Sequence, residues 1–361
     1  MKDEPTLNQR TSLEVVRSLG EAALSAAREL GILDRKSRIE STDTEVIIPL
    51  SKLPSEKELA SLKSRLISLQ ISNHSFKCRK LRPSNLLEAV DDKLPPHLLG
   101  ALPHSYDIIG NIAIVEMPEN LLAYGHIVGE ALMRLNPHVK TVITKAGPVT
   151  NTFRLRSYTS LAGEQSTLTQ YSESGCVFRL DPRKTYFSPR LSYERRRIAS
   201  NVKRGEVIVD MFAGVGPFSI VAAKLGNVRK VYGVDINPEA VSFMLQNVLV
   251  NRLRGRITVV LADVQETSVD LLSHSADRVI MNLPMESLVF IPRACNILKR
   301  EGGVIHFYAF VSEKISREAI LKILKEKIES TSRSIVGIEA TRIVKGVAPR
   351  EWQVAVDVRI A

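Results

Sequence analysis

The chain has 361 residues, of which 44% are hydrophobic, 25% charged and 5% aromatic, a composition that excludes collagen-like, disulfide-scaffold and largely disordered proteins. This length predicts two or three domains. The formal net charge of +11 is concentrated, because residues 179–204 hold nine basic and two acidic side chains. Such a positive patch favours a nucleic acid over a membrane as the partner.

The three cysteines indicate a reducing compartment. Cys78, Cys176 and Cys295 are far apart and form no paired motif, so we expect neither a disulfide framework nor a metal site. No apolar run reaches the roughly 20 residues that span a bilayer. The first five residues include two acids and no apolar core, unlike a signal peptide. The sequence therefore predicts a cytoplasmic protein without a membrane partner.

The N-terminal residues predict a small α/β domain. Apolar side chains at helical spacing predict a helix over Leu13–Leu33, and residues 44–50 have the pattern of a strand. A second helix is predicted over Glu56–Ile71, with Ser55 as its N-cap. The polar stretch Ser72–Arg82 is predicted to be a linker.

The next hundred residues predict an α+β domain with basic strands. The expected elements are a strand over Ile108–Met117, a helix over Asn120–Leu135 and strands over Lys140–Lys145 and Thr152–Arg156. Arg154 and Arg156 fall on one face of the last strand, because side chains alternate along a strand.

From Glu206 onward, apolar strands alternate with helical stretches. The predicted strands are residues 207–210, 230–235, 257–263, 278–282 and 303–308. Continuous apolar strands separated by helices indicate a parallel sheet covered on both faces, which is a Rossmann-like α/β fold. Ligands of such sheets bind at the carboxyl ends of the strands.

Polar residues and glycines stand at those strand ends. Gly214 and Gly216 follow the first strand and allow the chain to approach a ligand closely. Asp235 ends the second strand, where a carboxylate can accept hydrogen bonds from ribose hydroxyls. Asp263 and Asn282 end the third and fourth strands. This row predicts a nucleoside site at one edge of the sheet.

The row resembles the class I S-adenosylmethionine-dependent methyltransferases. Ser219 replaces the third glycine of a dinucleotide-binding loop, and S-adenosylmethionine has no pyrophosphate that would need that glycine. The resemblance implies S-adenosyl-L-methionine as cofactor, leaving as S-adenosyl-L-homocysteine. The implied cofactor-binding residues are Arg195, Asp210, Phe212, Gly214, Gly216, Asp235, Ile236, Asp263, Val264 and Asn282.

Several motifs together resemble the archaeal and eukaryal tRNA (guanine-37 N1)-methyltransferase family. They are the stretches 152–156 (TFRLR), 186–195 (YFSPRLSYER), 210–218 (DMFAGVGPF), 235–238 (DINP) and 282–287 (NLPMES). The likeness covers nearly the whole chain and is weakest before residue 80. It implies tRNA as partner and three domains: a small tRNA-binding domain (1–72), a basic α+β tRNA-binding domain (73–172) and the catalytic domain (173–361).

The chemistry of the family explains these residue types. Guanine N1 carries a proton, so methylation needs a base near N1 and a donor near O6, where negative charge develops. By resemblance, Glu194 is the base and Arg154 is the O6 donor, while Asn282 and Pro284 hold the edge of the base. The residues implied to form the guanosine pocket are Arg154, Arg156, Tyr186 and Arg190, of which Arg154 and Tyr186 also belong to the catalytic set.

Other interpretations remain open at this stage. Without the family, Glu194 is an N-terminal carboxylate of a helix capped by Ser192, and the arginines at 195–197 are expected to lower its pKa. A wyosine-pathway relative on the same fold would transfer the aminocarboxypropyl group, or would also methylate a tricyclic guanosine derivative. A tRNA-binding protein without catalysis is the third alternative. We expect a monomer.

Overall fold

The computed structural model describes residues 7–77, 83–90, 93–150, 153 and 155–361. The chain divides into two compact units, Met1–Pro83 and Ser84–Ala361. The predicted domain limits at residues 72 and 172 stay predictions. No helix in these described ranges is long and apolar enough to cross a bilayer.

The described part of the first unit is an antiparallel sheet with two helices. Its elements are β1 (Leu7–Val16), α1 (Gly20–Glu29), β2 (Glu40–Ser41), β3 (Glu45–Pro49), α2 (Glu56–Arg65) and β4 (Gln70–Lys77). The strands lie in the order β2-β3-β1-β4. The Ser55 side chain accepts from the Glu58 N–H and the Glu58 side chain accepts from the Ser55 N–H, which forms a capping box and confirms the predicted N-cap.

Three predictions for this unit are wrong at least in part. The helix predicted over Glu56–Ile71 ends at Arg65, and Gln70 and Ile71 belong to β4. The predicted helix over Leu13–Leu33 begins only at Gly20, because residues 13–16 belong to β1 and pair with β3, and Leu13 and Glu14 also pair with β4. Leu13 and Val15 alternate into the core, which fits a strand as well as the short apolar run fits a helix. The predicted linker is the strand β4 as far as Lys77, and residues 78–82 lie outside the described residues.

The second unit begins with another mixed α/β segment. Its elements are α3 (Leu86–Val90), β5 (Tyr106–Ile109), β6 (Ile112–Val115), α4 (Gly125–Leu135), β7 (Thr141–Thr150), β8 (Leu155–Gly163), β9 (Thr169–Glu173) and β10 (Cys176–Leu180). Strands β5 to β8 form one sheet in chain order, in which β6 and β7 are parallel. Strands β9 and β10 form a separate hairpin.

The single strand predicted over Ile108–Met117 is a hairpin instead. The chain reverses between β5 and β6 at Gly110, which has a φ of 59°. A Cβ at this glycine would collide with Thr169 and the carbonyl of Gln170, so the turn needs glycine both for its conformation and for its close approach to β9.

The remainder of the second unit is a sheet covered by helices. Its elements are α5 (Ser192–Ser200), β11 (Val207–Asp210), α6 (Pro217–Leu225), β12 (Lys230–Asp235), α7 (Pro238–Val250), β13 (Ile257–Leu261), β14 (Arg278–Met281), α8 (Ile291–Ile297), β15 (Gly303–Ser312), α9 (Arg317–Glu329), β16 (Ile335–Ala348) and β17 (Glu351–Ile360). The order is β13-β12-β11-β14-β15-β17-β16. Strands β11 to β15 pair in parallel, as the sequence predicts, whereas β17 runs antiparallel to both of its neighbours.

Two asparagines, one on α7 and one directly after its last residue, attach the β9–β10 hairpin to this sheet domain. The Asn247 side chain bonds to the N–H and C=O of Arg179 at 2.7 and 3.0 Å and to the Val215 carbonyl at 3.0 Å. One turn later, the Asn251 side chain bonds to the N–H and C=O of Val177 at 2.9 and 2.7 Å. The two side chains thus pair with backbone groups of β10 that β9 does not pair, as a second neighbouring strand would.

We expect Asn247→Leu to lower the free energy of unfolding by about 3 to 5 kcal/mol, because three backbone groups lose their partner in a buried place. Denaturant unfolding followed by circular dichroism measures this loss. Gln246→Ala, at the exposed neighbouring position of the same helix, is the matched control and should change stability by less than about 0.5 kcal/mol. Equal stability of the two variants would show that the hydrogen bonds of Asn247 to β10 do not stabilise the fold.

Candidate active site

The predicted row of polar residues lies along one edge of the sheet. Strands β13, β12, β11 and β14 are consecutive neighbours. Asp263 follows β13, Asp235 ends β12 and Asn282 follows β14. Because these strands are parallel, their carboxyl ends meet at the edge where doubly wound sheets bind ligands.

The glycine loop after β11 is tied to Asp235. Gly214 and Gly216 have φ angles of 57° and 85°, and a Cβ on Gly216 would lie 2.8 Å from Met244 Cγ. The Gly214 N–H donates to Asp235 Oδ2 at 2.6 Å, and the Asn237 N–H donates to Oδ1 at 2.9 Å. Each carboxylate oxygen keeps a further lone pair for a hydroxyl donor.

Asp210 at the end of β11 is buried and incompletely paired. Its Oδ2 accepts a hydrogen bond from the Ser219 hydroxyl at 2.8 Å. The serine that replaces the third glycine of a dinucleotide-binding loop is thus a hydrogen-bond donor to Asp210. Its Oδ1 has no hydrogen-bond partner within the described ranges. Burial raises the pKa of Asp210 to about 7, against the opposing hydrogen bond from Ser219. A donor or cationic group bound at the loop would relieve this unpaired oxygen.

The segment after β14 is a tight turn held from two sides. The Gln353 side chain of β17 donates to Asn282 Oδ1 at 3.1 Å. The Ser287 hydroxyl donates to the Leu283 carbonyl at 2.7 Å, which closes the turn around Pro284. Asn282 and Pro284 are both partly exposed, so this turn presents an amide and a proline ring at the edge of the sheet.

Glu194 is a buried carboxylate with partners on three elements. It lies in the first turn of α5, which begins at Ser192 itself, so the predicted Ser192 cap is wrong. Arg342 on β16 donates to its Oε1 at 2.7 Å and to its Oε2 at 3.1 Å. Arg197 and the Tyr308 hydroxyl donate to Oε2 at 3.2 and 3.0 Å. The carboxylate is only 2% exposed.

The pKa of Glu194 reflects a competition. Burial raises it, but the hydrogen bonds and charges of Arg342 and Arg197 outweigh burial and hold the pKa below its ordinary value. The predicted lowering by nearby arginines is therefore confirmed in direction. Of the arginines at 195–197, Arg197 contributes to this lowering, and Arg342, which the sequence does not indicate, contributes more.

Two of the predicted pocket residues, Arg156 and Tyr186, lie near Tyr158 on β8, and a third, Arg190, contacts Asp107, which also influences Tyr158. Tyr186 is 57% exposed, and Arg190 donates from Nε to Asp107 Oδ1 on β5 at 2.7 Å. Burial raises the pKa of Tyr158, Arg156 opposes that shift, and Tyr186 and Asp107 add to it. Arg156 and Tyr186 therefore lie near Tyr158, and Arg190 is connected to the same region through Asp107 on β5.

Arg195 has structural partners. Its Nη2 donates to Glu173 at 2.6 Å, its Nη1 donates to the Ser188 carbonyl at 3.1 Å, and its guanidinium lies over the rings of Phe187 and Phe218 at 5.1 and 5.9 Å. Only 1% of its side chain is exposed. These contacts anchor the β9–β10 hairpin to α5, and the predicted contact with the cofactor stays a prediction.

The other predicted residues are placed as follows. Phe212 packs edge-to-face on Phe290, with ring centroids 4.9 Å apart. Ile236 is exposed beside Asp235, and Val264 is buried beside Asp263. Arg154, the predicted O6 donor, lies outside the described residues.

Sequence reasoning missed the residues that the last strands contribute to the site. Tyr308, Arg342 and Gln353 contact Glu194 or Asn282 from β15, β16 and β17. Asp357 on β17 accepts from Arg197 Nη1 at 2.6 Å and lies 2.8 Å from His306 Nδ1. No local motif marks these positions, because it is the pairing of distant strands in the sheet that places them beside Glu194 and Asn282.

The fold and the site define a class. A glycine loop after β11, a carboxylate at the end of β12 and the strand order with an antiparallel β17 are those of a class I methyltransferase, and the cofactor is S-adenosylmethionine. Residues 169–336 match the TRM5/TYW2 methyltransferase domain, and residues 86–167 match the TYW2 N-terminal domain.

Similar proteins extend this match over the chain. A tRNA (guanine(37)-N(1))-methyltransferase, Trm5b, of Pyrococcus abyssi is 34% identical over 95% of this chain and 96% of its own length. The solved complex of aTrm5 and tRNALeu is 32% identical, with a TM-score of 0.84, and the match covers 97% of this chain and 99% of that one. The chain therefore belongs to the TRM5/TYW2 methyltransferase family.

We expect Asp357→Asn to lower the free energy of unfolding by about 3 kcal/mol at pH 7, because a buried charge pair loses one partner. Burial raises the pKa of Asp357, but His306 and Arg197 outweigh it and hold the folded pKa far below the usual value. The carboxylate therefore stabilises the fold above about pH 4, and this contribution is lost as the pH falls further.

Denaturant unfolding of wild type and Asp357→Asn between pH 3 and pH 7 measures this dependence. The difference between the two proteins should be largest near pH 7 and should shrink towards pH 3. A difference that stays constant over this range would show that the charge of Asp357 contributes nothing.

Proposed function

We propose that this protein transfers a methyl group from S-adenosylmethionine to N1 of guanosine 37 in the anticodon loop of tRNA. The observation that carries the proposal is the 34% identity to the Pyrococcus abyssi guanine-37 enzyme over 95% of the chain. The buried Glu194 supplies a carboxylate of the kind that removal of the N1 proton requires.

In this mechanism, Glu194 takes the proton from N1 and the freed nitrogen electron pair forms the new N–C bond. Arg154 donates to guanine O6, where the charge left by the proton accumulates. Asn282 and Pro284 hold the edge of the base, and Tyr186, Arg156 and Arg190 shape its pocket. Alignment of N1 with the methyl group matters strongly, since an error of about 1 Å costs on the order of 100-fold in rate.

The residues at the strand ends fit the cofactor. Asp235 would accept the ribose hydroxyls, and the loop with Gly214 and Gly216 would let the backbone approach the methionine part. The unpaired oxygen of Asp210 is complementary to a nearby cation or donor. When bound, the cofactor supplies an electrophilic methyl group on a sulfonium, and S-adenosylhomocysteine leaves. The other implied contacts are Arg195, Phe212, Ile236, Asp263, Val264 and Asn282.

The protein would bind the tRNA body as well as the guanosine at the active site. We propose that domains 1–72 and 73–172 bind the tRNA body, and that the basic residues in 179–204 contact its phosphates. Guanosine 37 must leave the stack to enter a pocket, so backbone clamps are needed. The protein would act in the cytoplasm as a monomer.

A second function has a specific observation in its favour. A tRNA 4-demethylwyosine(37)-methyltransferase, Taw21, of Saccharolobus solfataricus is 34% identical over 70% of this chain and 92% of its own length. A chain that methylates both guanosine 37 and its tricyclic derivative would agree with both relatives.

Mass spectrometry of nucleosides tests the proposal. The purified protein is incubated with S-adenosylmethionine and an unmodified tRNA transcript that has guanosine at position 37. We expect 1-methylguanosine, and none after position 37 is changed to adenosine. An aminocarboxypropyl adduct, or tRNA binding without any product, would overturn the proposal. A tRNA carrying the tricyclic base tests the second function in the same assay.

We expect Glu194→Gln to slow single-turnover methyl transfer about 100-fold, because the amide cannot take the N1 proton. The dissociation constants for tRNA and S-adenosylmethionine should change less than about threefold, since the amide keeps the shape of the side chain. Rapid-quench assays and calorimetry measure the two effects. Glu239→Gln, an exposed carboxylate of the same domain that pairs with Lys184, is the control, and a full rate for Glu194→Gln would exclude it as the base.

A further inference from the structure

Glu194 is held too firmly to be an ordinary base. Arg342 contacts both of its carboxylate oxygens, and Arg197 and Tyr308 add donors to Oε2. When such a carboxylate takes a proton, it loses the charge that both arginines stabilise. Proton transfer from guanine therefore depends on how strongly each arginine interacts with the Glu194 carboxylate.

The two arginines differ in how closely they contact Glu194 and Asp357. Arg342 gives Glu194 its two shortest guanidinium contacts, at 2.7 and 3.1 Å, and lies 3.6 Å from Asp357. Arg197 gives Asp357 a contact of 2.6 Å and reaches Glu194 only at 3.2 Å. Arg342 is thus the principal cation of Glu194, and Asp357 is the principal anion of Arg197.

The environment of the cluster makes these assignments matter. The side chains of Glu194 and Asp357 are 2% and 3% exposed, and Arg197 is 13% exposed. Arg342, on the edge strand of the sheet, is 22% exposed. At this burial two arginines balance two carboxylates, and charge interactions are much stronger than in water.

We propose that Arg342 and Asp357 are positioning residues that act on the base in opposite directions. Arg342 orients the carboxylate through its paired contact and holds it ionised. Asp357 draws Arg197 away, so that Glu194 keeps the ability to accept a proton. The inference rests on the proposed role of Glu194 as the base.

A complete account of the charges includes the neighbours of the cluster. Among the residues that the structure describes, the charged and titratable groups that contact Glu194 are Arg197 on its own helix, Tyr308 on β15 and Arg342 on β16. His306 contacts Asp357 rather than Glu194. Burial raises the pKa of Tyr308 well above its ordinary value, so this hydroxyl stays a donor over the working range of pH.

The pH dependence of single-turnover methyl transfer, measured from pH 5 to pH 9, tests the proposal. For wild type, we expect no acid limb due to Glu194 in this range. Arg342→Gln should move that limb up by about 1 to 3 pH units, into the measured range, because an opposite charge beside the buried carboxylate is gone. Adding Asp357→Asn should move it down again, because Arg197 is then free to pair fully with Glu194.

Two further variants separate charge from position and from stability. Arg342→Lys keeps the charge but loses the two-point contact, so its acid limb should stay low while its plateau rate falls. Arg359→Gln removes an exposed arginine that pairs with Glu339 between the same two strands, and it should leave the profile unchanged. A limb that does not move in Arg342→Gln, or that moves further up when Asp357→Asn is added, would overturn the proposal.

A carboxyl titration keeps this inference distinct from the proposed function. Glutamate side chains labelled with ¹³C are followed by NMR, and the Glu194 signal is assigned by its loss in Glu194→Gln. The same opposite shifts are expected in Arg342→Gln and in the double variant, and their absence would overturn the inference. If wild type methylates no tRNA while these shifts occur, the proposed function has failed and the inference about the charges stands.

Discussion

Burying Glu194 as an anion requires that cations be buried with it, and this requirement shapes the C-terminal half of the sheet. A lone charge in such a place costs several kcal/mol or more. Arg197 from the same helix and Arg342 from β16 supply the compensation. Each arginine also approaches Asp357 on β17, so one helix and two strands are joined through four charged groups.

The sequence predicted the part of the fold that local patterns encode. Strands β11 and β14 and most of β15 are buried on both faces, so their apolar runs were recognisable without alternation. The first unit was harder, because Leu13 and Val16 fit helical spacing although pairing with β3 and β4 makes the segment a strand. Strands β16 and β17 were missed, since long-range pairing decides their structure.

The residues of the candidate site likewise fall into those that local patterns could predict and those that depend on long-range pairing. The strand-end residues, such as Asp235 and Asn282, follow recognisable strands and could be placed in one row from the sequence. The partners of Glu194 could not, because Tyr308 and Arg342 lie 114 and 148 positions away in the chain. Arg342 stands on a bulged edge strand, where a basic residue is ordinarily a solvated one.

This separation along the chain has a consequence for biosynthesis. Ribosomes add about 5 to 20 residues per second, so Arg342 is made on the order of 7 to 30 seconds after Glu194. Until then the carboxylate of Glu194 has no partner on β16, and the parallel strands β11 to β14 are synthesised before the strands that complete the charge balance. A nascent chain that ends before β16 would contain Glu194 but neither Arg342 nor Asp357, so the charges around Glu194 are balanced only after these two strands have been made.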